Sequence, residues 1–413
     1  MAEIMKEILI SGMGIVSALG NNIKENLQSL LANRSGIGPL HYLQTSHTEF
    51  PVGEVKMTNE EMISLLNISE DEPTIRTALM GMLALREALQ NANLSKSETR
   101  NPKPETQRIA FISGTTVGGM DKSEQFYLDF LENDTRNAYI STHDCGICTE
   151  MIANYFGVFS QVDTISTACS SAANAIILGA ELLKSGRADI VVAGGSECLT
   201  KFHLNGFNAL MILDRKPCRP FDATRAGINL GEGAAYVVME TAESFNKRQQ
   251  EHPTLKAMCK LSGYGNTCDA FHQTASAPDG EGAYLAMKKA IEEARLSPEQ
   301  IDYINAHGTG TENNDLSEGT AIMRLFGDKI PPVSSTKSFT GHTTSAAGCV
   351  EAILSILALQ NNFLPINLNF SEKIPELTFA PVVSQQPTKP LQHIMKNSFG
   401  FGGNDTCLIF SKI

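Results

Sequence analysis

Asp163-Thr164-Ile165-Ser166-Thr167-Ala168-Cys169-Ser170-Ser171, followed by the run Ala172 to Lys184, is the stretch on which the fold turns. Its first five residues are rich in β-branched side chains and read as a strand. Ala172 to Lys184 is Ala- and Leu-rich and reads as a helix stopped at Ser185-Gly186. Cys169 then sits at or beside a helix N-terminus, where unpaired N–H groups and the positive end of the macrodipole converge. That setting favours thiolate over thiol and marks a place to build a nucleophile. A buried structural cysteine is the other reading of this window alone.

The pattern recurs. Glu7-Ile8-Leu9-Ile10-Ser11-Gly12-Met13-Gly14 is echoed by Met258-Cys259-Lys260-Leu261-Ser262-Gly263-Tyr264-Gly265, and Ile109 to Thr115 by Ile301 to His307. Ser171 to Ile176 is echoed by Ser345 to Val350, in the same order. Strands alternate with helices: Arg108 to Ser113, Glu150 to Gly157, Gln161 to Thr167, the Cys169 helix, Ala188 to Ala193. This rhythm predicts parallel strands with crossover helices, in an α/β body of two similar halves split near residue 255 (1–255 and 256–413). The polar segment Glu243 to Pro253 fits the connection between them, and residues 96–107 read as a loop.

A chain of 413 residues at 42% hydrophobic content can bury a large core, and it has no apolar run long enough to span a bilayer. Met1 to Glu7 does not read as a signal peptide, and nine cysteines without one fit a reducing cytoplasm. A net charge of −12 argues against nucleic acid as a partner. Cys145-Gly146-Ile147-Cys148 lacks the second ligand pair a zinc site needs. Gly12-Met13-Gly14 half-matches a dinucleotide fingerprint, without the third glycine or the later acidic residue.

Two further turns complete the set. Tyr303-Ile304-Asn305-Ala306-His307-Gly308-Thr309-Gly310-Thr311 ends a strand with a histidine. Ser334 to Gly341 leads to His342, at the same kind of turn in the second half that Cys169 occupies in the first. Halves related by an approximate two-fold bring the cysteine and the histidines together at the joint. Asn397-Ser398-Phe399-Gly400-Phe401-Gly402-Gly403-Asn404-Asp405 exposes backbone N–H groups toward a ligand, or is an ordinary hairpin turn.

Thr167 to Ser171, Asn305 to Thr311, Lys337 to His342 and Asn397 to Gly403, with Pro220-Phe221-Asp222 and Gly231-Glu232-Gly233-Ala234, resemble the signature set of elongating type II β-ketoacyl-[acyl-carrier-protein] synthases over nearly the whole chain. The resemblance implies the thiolase fold, a duplicated α/β unit in five αβαβα layers, usually as a homodimer, a heterodimer being the other arrangement. It implies a decarboxylative Claisen condensation in fatty acid biosynthesis, with acyl and malonyl groups delivered on the phosphopantetheine of an acyl carrier protein and no tightly bound cofactor. Cys169 is the implied acyl acceptor, and His307 and His342 the donors to the enolate oxygen. The N–H groups of Cys169 and Phe401 form the oxyanion hole, and Lys337, paired with Glu318, orients the histidines. Asp315 and Glu318 support the loop. Phe401, with Phe399, matches the gate, and Val117, Thr309, Thr311 and Gly402 are assigned to substrate binding, plain core being the other reading of Phe401 and the favoured one of Val117. A monovalent cation is implied near Asn305, Ala306 and Glu351.

The chain also departs from that family. Arg225-Ala226-Gly227-Ile228 replaces Arg-Asp-Gly-Phe, Thr343-Thr344-Ser345 follows the Gly-His, and Glu70-Asp71-Glu72 is acidic where relatives dock a carrier through basic residues. These departures keep open a specialised polyketide or aryl polyene pathway. A non-decarboxylating thiolase would require a second catalytic cysteine, for which Cys407 is the candidate, and a non-catalytic chain-length partner would have lost Cys169.

Overall fold

The computed structural model describes residues 6–69, 72–94, 107–133 and 139–413. Residues 1–5, Glu70 and Asp71, and all of the 96–107 loop except Gln107 lie outside that set. The strands are β1 (Ile8–Ser17), β2 (Ile109–Gly114), β3 (Gln161–Ile165), β4 (Ile190–Glu197), β5 (Gly233–Thr241), β6 (Cys259–Cys268), β7 (Tyr303–Asn305), β8 (Val333–Ser334), β9 (His393–Gly400) and β10 (Asn404–Ser411). They hydrogen-bond in the order β3-β2-β4-β5-β1-β6-β10-β9-β7-β8. Read from each end, the two sets of five follow one rule: third, second, fourth, fifth, first. The innermost strands β1 and β6 join antiparallel through Ile8↔Leu261, Leu9↔Lys260 and Ile10↔Cys259. The three sequence echoes fall on equivalent elements: β1 with β6, β2 with β7, and the helix Ser171–Lys184 with Ala347–Asn361.

Pairing is mixed, which corrects the parallel reading. β2 pairs parallel with β3 and β4, and β7 with β8 and β9. β5 and β10 run antiparallel to their neighbours. The reason at β10 is local: Gly402 (φ 83°) and Gly403 (φ 78°) reverse the chain within a hairpin that leaves no room for a crossover helix.

Alternate residues sort the layers. Ala110, Ile112, Val191, Ala193, Val237 and Met239 face the central helices, with Leu408 and Phe410 from the other side. Ile109, Phe111, Ile190, Val192, Tyr236 and Val238 face an outer layer built on Arg76–Asn91 and Cys145–Phe156. Ile304, Met395, Cys407 and Ile409 face Glu281–Ala294 and Glu312–Phe326. Strands buried on both faces thus yield five layers, αβαβα, with the helices Ser171–Lys184 and Ala347–Asn361 in the middle. Those two helices meet closely, since a Cβ on Gly348 would fall 2.4 Å from the Ala173 nitrogen. Each is entered through a 3-10 turn, Ala168–Ser170 and Thr344–Ala346, whose first residue is held at positive φ (51° and 43°). A non-glycine residue there costs about 1–3 kcal/mol, which the packing around each turn must offset.

Candidate active site

Cys169 lies in the first of these turns. Ser171 Oγ accepts from the Thr167 N–H at 2.9 Å and donates to the Ala168 carbonyl at 2.7 Å, closing the turn on itself. Gly400 presses against it from the β9–β10 hairpin, where a Cβ would stand 2.8 Å from the Thr167 carbonyl. His342 precedes the second turn. Its N–H donates to the Asn229 carbonyl at 2.8 Å, and its carbonyl accepts from the Gly231 N–H at 2.9 Å. The two turns bring His342 Nε2 to 3.0 Å from Cys169 Sγ.

His307 stands beyond, its ring 5.4 Å from that of His342 at 85°. Lys337 Nζ lies 3.3 Å from His307 Nδ1, 2.6 Å from the His307 carbonyl and 2.5 Å from Glu351 Oε1. An ammonium can only donate, so Nδ1 is the acceptor and a neutral His307 carries its proton on Nε2. The expected Lys337–Glu318 pair does not form. Glu318 instead accepts the N–H groups of His307 (2.9 Å) and Gly308 (2.8 Å) and the Asn397 amide (3.0 Å). Asp315 takes the Phe221 N–H at 2.7 Å and the Gly310 N–H at 3.2 Å. Both carboxyls accept backbone N–H groups of the loop, and Glu351 takes the lysine.

Burial decides the charges. It pushes the Cys169 thiol up to about 11, against the pull of Lys337 and the Phe401 amide. The expected resting thiolate is therefore corrected to a thiol: a buried cysteine, 6% exposed, loses more solvation than a helix N-terminus returns. Burial first, then Lys337, holds both His307 and His342 well below the usual imidazole range, so both rings are neutral at neutral pH.

A cavity of about 470 Å³ opens over Cys169, His307 and His342. Thr309, Thr311, Phe399, Phe401 and Gly402 line it, and Phe401 stacks on Phe207 with ring centroids 5.7 Å apart. The glycine-rich loop is thus both the hairpin turn and a wall of the cavity. Val117 is not among the lining residues. Its N–H donates to Glu197 at 3.4 Å and its side chain packs into the outer core, in keeping with the plain-core reading of this residue. Cys407 is likewise buried in β10 within the outer core. Gly12 and Gly14 lie inside β1, where a Cβ would fall 2.5 Å and 2.0 Å from the Ala88 and Ala84 carbonyls. They serve helix packing, and no phosphate loop forms there.

Three groups escaped the sequence reading. Glu197, fully buried, accepts from Thr115, Thr116 and Thr344. Asp405 lines the cavity, its carboxyl raised to about 8 by burial and by Asp269 and Glu318. Lys396, fully buried, reaches Glu351 Oε2 at 2.8 Å and also donates to Ser398. A lysine inside the apolar run Ile394-Met395-Lys396 was the available signal for the last.

Glu351 therefore spends its two oxygens on two ammoniums. Asn305 donates to the Glu351 carbonyl at 3.3 Å and to Ser355 at 3.0 Å. A monovalent cation placed against Glu351 would face both lysines, so the residues present do not fit the cation that the resemblance implied.

Residues 5–244 match the family described as beta-ketoacyl synthase, N-terminal domain, and residues 258–371 match beta-ketoacyl synthase, C-terminal domain. The chain belongs to the beta-ketoacyl synthase family. Enzymes of this family are acyltransferases. This beta-ketoacyl synthase is 33% identical, over 99% of each chain, to a 3-oxoacyl-[acyl-carrier-protein] synthase 2 of Coxiella burnetii. It is 31% identical, over 98% of each chain, to the protein of that name from Staphylococcus aureus. Among solved structures it is similar to the ishigamide ketosynthase/chain length factor (TM-score 0.90, 27% identity, 99% and 100% coverage). It is also similar to a ketosynthase in complex with its chain length factor from Xenorhabdus doucetiae (TM-score 0.84, 31% identity, 99% and 98% coverage). Among the described residues no helix is long and apolar enough to cross a membrane.

Proposed function

We propose that this chain is a 3-oxoacyl-[acyl-carrier-protein] synthase of fatty acid biosynthesis, which extends an acyl group held on Cys169 by two carbons from malonyl carrier. The observation that carries the reading is the 3.0 Å contact between Cys169 Sγ and His342 Nε2, beside a second imidazole whose tautomer Lys337 sets. In acyl transfer, Cys169 Sγ attacks the incoming thioester. Its proton crosses to His342 Nε2 and on to the departing pantetheine sulfur. In condensation, the malonyl carboxylate leaves as carbon dioxide, and its electron pair passes into an enolate. Nε2–H of His307 stabilises the enolate oxygen. The enolate carbon attacks the Cys169 thioester, the N–H groups of Cys169 and Phe401 hold the oxyanion, and collapse expels the sulfur as thiolate, which takes a proton from solvent to return to the thiol. Phe401 and Phe399 gate access, while Thr309, Thr311 and Gly402 contact the substrate arm.

The carrier's phosphopantetheine is the only cofactor this scheme uses. The strand order fits a chain of two duplicated halves, 1–255 and 256–413, and we read it as a cytoplasmic homodimer. The specialised polyketide and thiolase alternatives are not favoured: the curated relatives carry the synthase name over their full length, and Cys407 stands away from the cavity. Intact mass after mixing with acyl carriers tests the reading. An acyl adduct is expected on the native chain and none on Cys169→Ala, which is also expected to lose chain extension. Extension by Cys169→Ala at the native rate overturns it.

A further inference from the structure

We propose that Lys396 supplies, from within the chain, the positive charge that the family resemblance assigns to a monovalent cation at Asn305, Ala306 and Glu351. In register on paired strands, Asn305 of β7 stands beside Lys396 of β9. The lysine thus emerges at the place where the cation was expected. Its Nζ lies 2.8 Å from Glu351 Oε2, while Lys337 holds Oε1 at 2.5 Å. All three side chains are essentially unexposed.

An uncompensated charge at such a depth would cost several kcal/mol, so its compensation is part of the fold. One carboxylate between two ammoniums leaves a single positive charge. One carboxylate between an ammonium and an alkali cation would leave the same. An ammonium is a compact point charge with three donors. Here Nζ is ion-paired with Glu351 and one of its donors goes to Ser398, so the group is held in place by the protein. This positive charge sits behind His307, and it is covalently fixed where a bound ion would exchange with solvent. Lys396 is in these terms a positioning residue. It holds Glu351, which with the His307 carbonyl fixes Lys337 against His307 Nδ1.

The experiment compares potassium with tetramethylammonium at equal ionic strength, reading thermal midpoint and condensation rate. The native chain is expected to give the same midpoint and rate in both. Lys396→Asn, which removes the ammonium and leaves room and an oxygen ligand, is expected to melt several degrees lower in tetramethylammonium and to lose about tenfold or more in rate. Potassium is expected to restore both. A native chain that loses stability without alkali cations overturns the proposal, as does a folded Lys396→Asn indifferent to potassium. If that variant does not fold in either salt, the native pair decides. The melting arm is independent of the assigned reaction, so its failure and the failure of that reading are separable.

Discussion

At the scale of single residues, position and protonation state come from different sources. Cys169, His307 and His342 are recognisable by their turns, but that the thiol is neutral depends on burial, which no local window reports. The partner of Lys337 shows the same limit. Glu318 and Glu351 both lie on helices within reach in sequence, and only the fold decides that Glu318 faces the backbone of His307 while Glu351 faces the lysine. Lys337→Met removes the donor that fixes the His307 tautomer. It should slow malonyl-carrier decarboxylation by about 10²–10³, the usual worth of a transition-state hydrogen-bond donor. Acylation of Cys169 should persist. Carbon dioxide release and intact mass read the two steps, and unchanged release would show that the tautomer does not matter.

At the scale of elements, the β9–β10 hairpin carries a stored cost. Asp405, on its returning strand, has its carboxyl raised to about 8, above the ordinary 3.8, by burial and by Asp269 and Glu318. The folded state therefore binds this proton more tightly than the unfolded chain does. Its contribution to stability is fully present below the unfolded value of about 4 and is lost as pH rises through about 8. Asp405→Asn should accordingly be stabilising at about pH 8.5, with the gain shrinking toward about pH 5. Urea midpoints at the two pH values measure it, and a gain independent of pH would contradict the assignment. The glycines of this hairpin were legible in the sequence. The acid beside them was not, because its neighbour Asp269 arrives from β6 through the sheet.

At the scale of the whole molecule, the two halves are coupled through the central helices. Gly348 packs against the Ala173 backbone, and Gly348→Val would force a side chain into it. Overpacking of this kind costs about 1–3 kcal/mol. Because those helices carry the Cys169 and His342 turns at their starts, the same change should lengthen the sulfur–imidazole contact. The expected result is a lower thermal midpoint together with lost acylation of Cys169. A variant that melts early yet acylates normally would mean that the turns are held from the sheet side instead.

While the roles of Cys169, His307 and His342 came from the family resemblance, the alternation of strands and helices from Arg108 to Ala193, the three echoes and the turns that carry those three residues were legible in the sequence. They rest on local patterns — turn chemistry, periodicity and repeated motifs — that a linear chain displays. Strand direction at β5 and β10, the ionisation of the thiol and the pairing of Glu351 with two lysines belonged to the tertiary structure. Each depends on which distant groups share a desolvated space, and solvation and Coulomb energies are set by distance in three dimensions, not by separation along the chain.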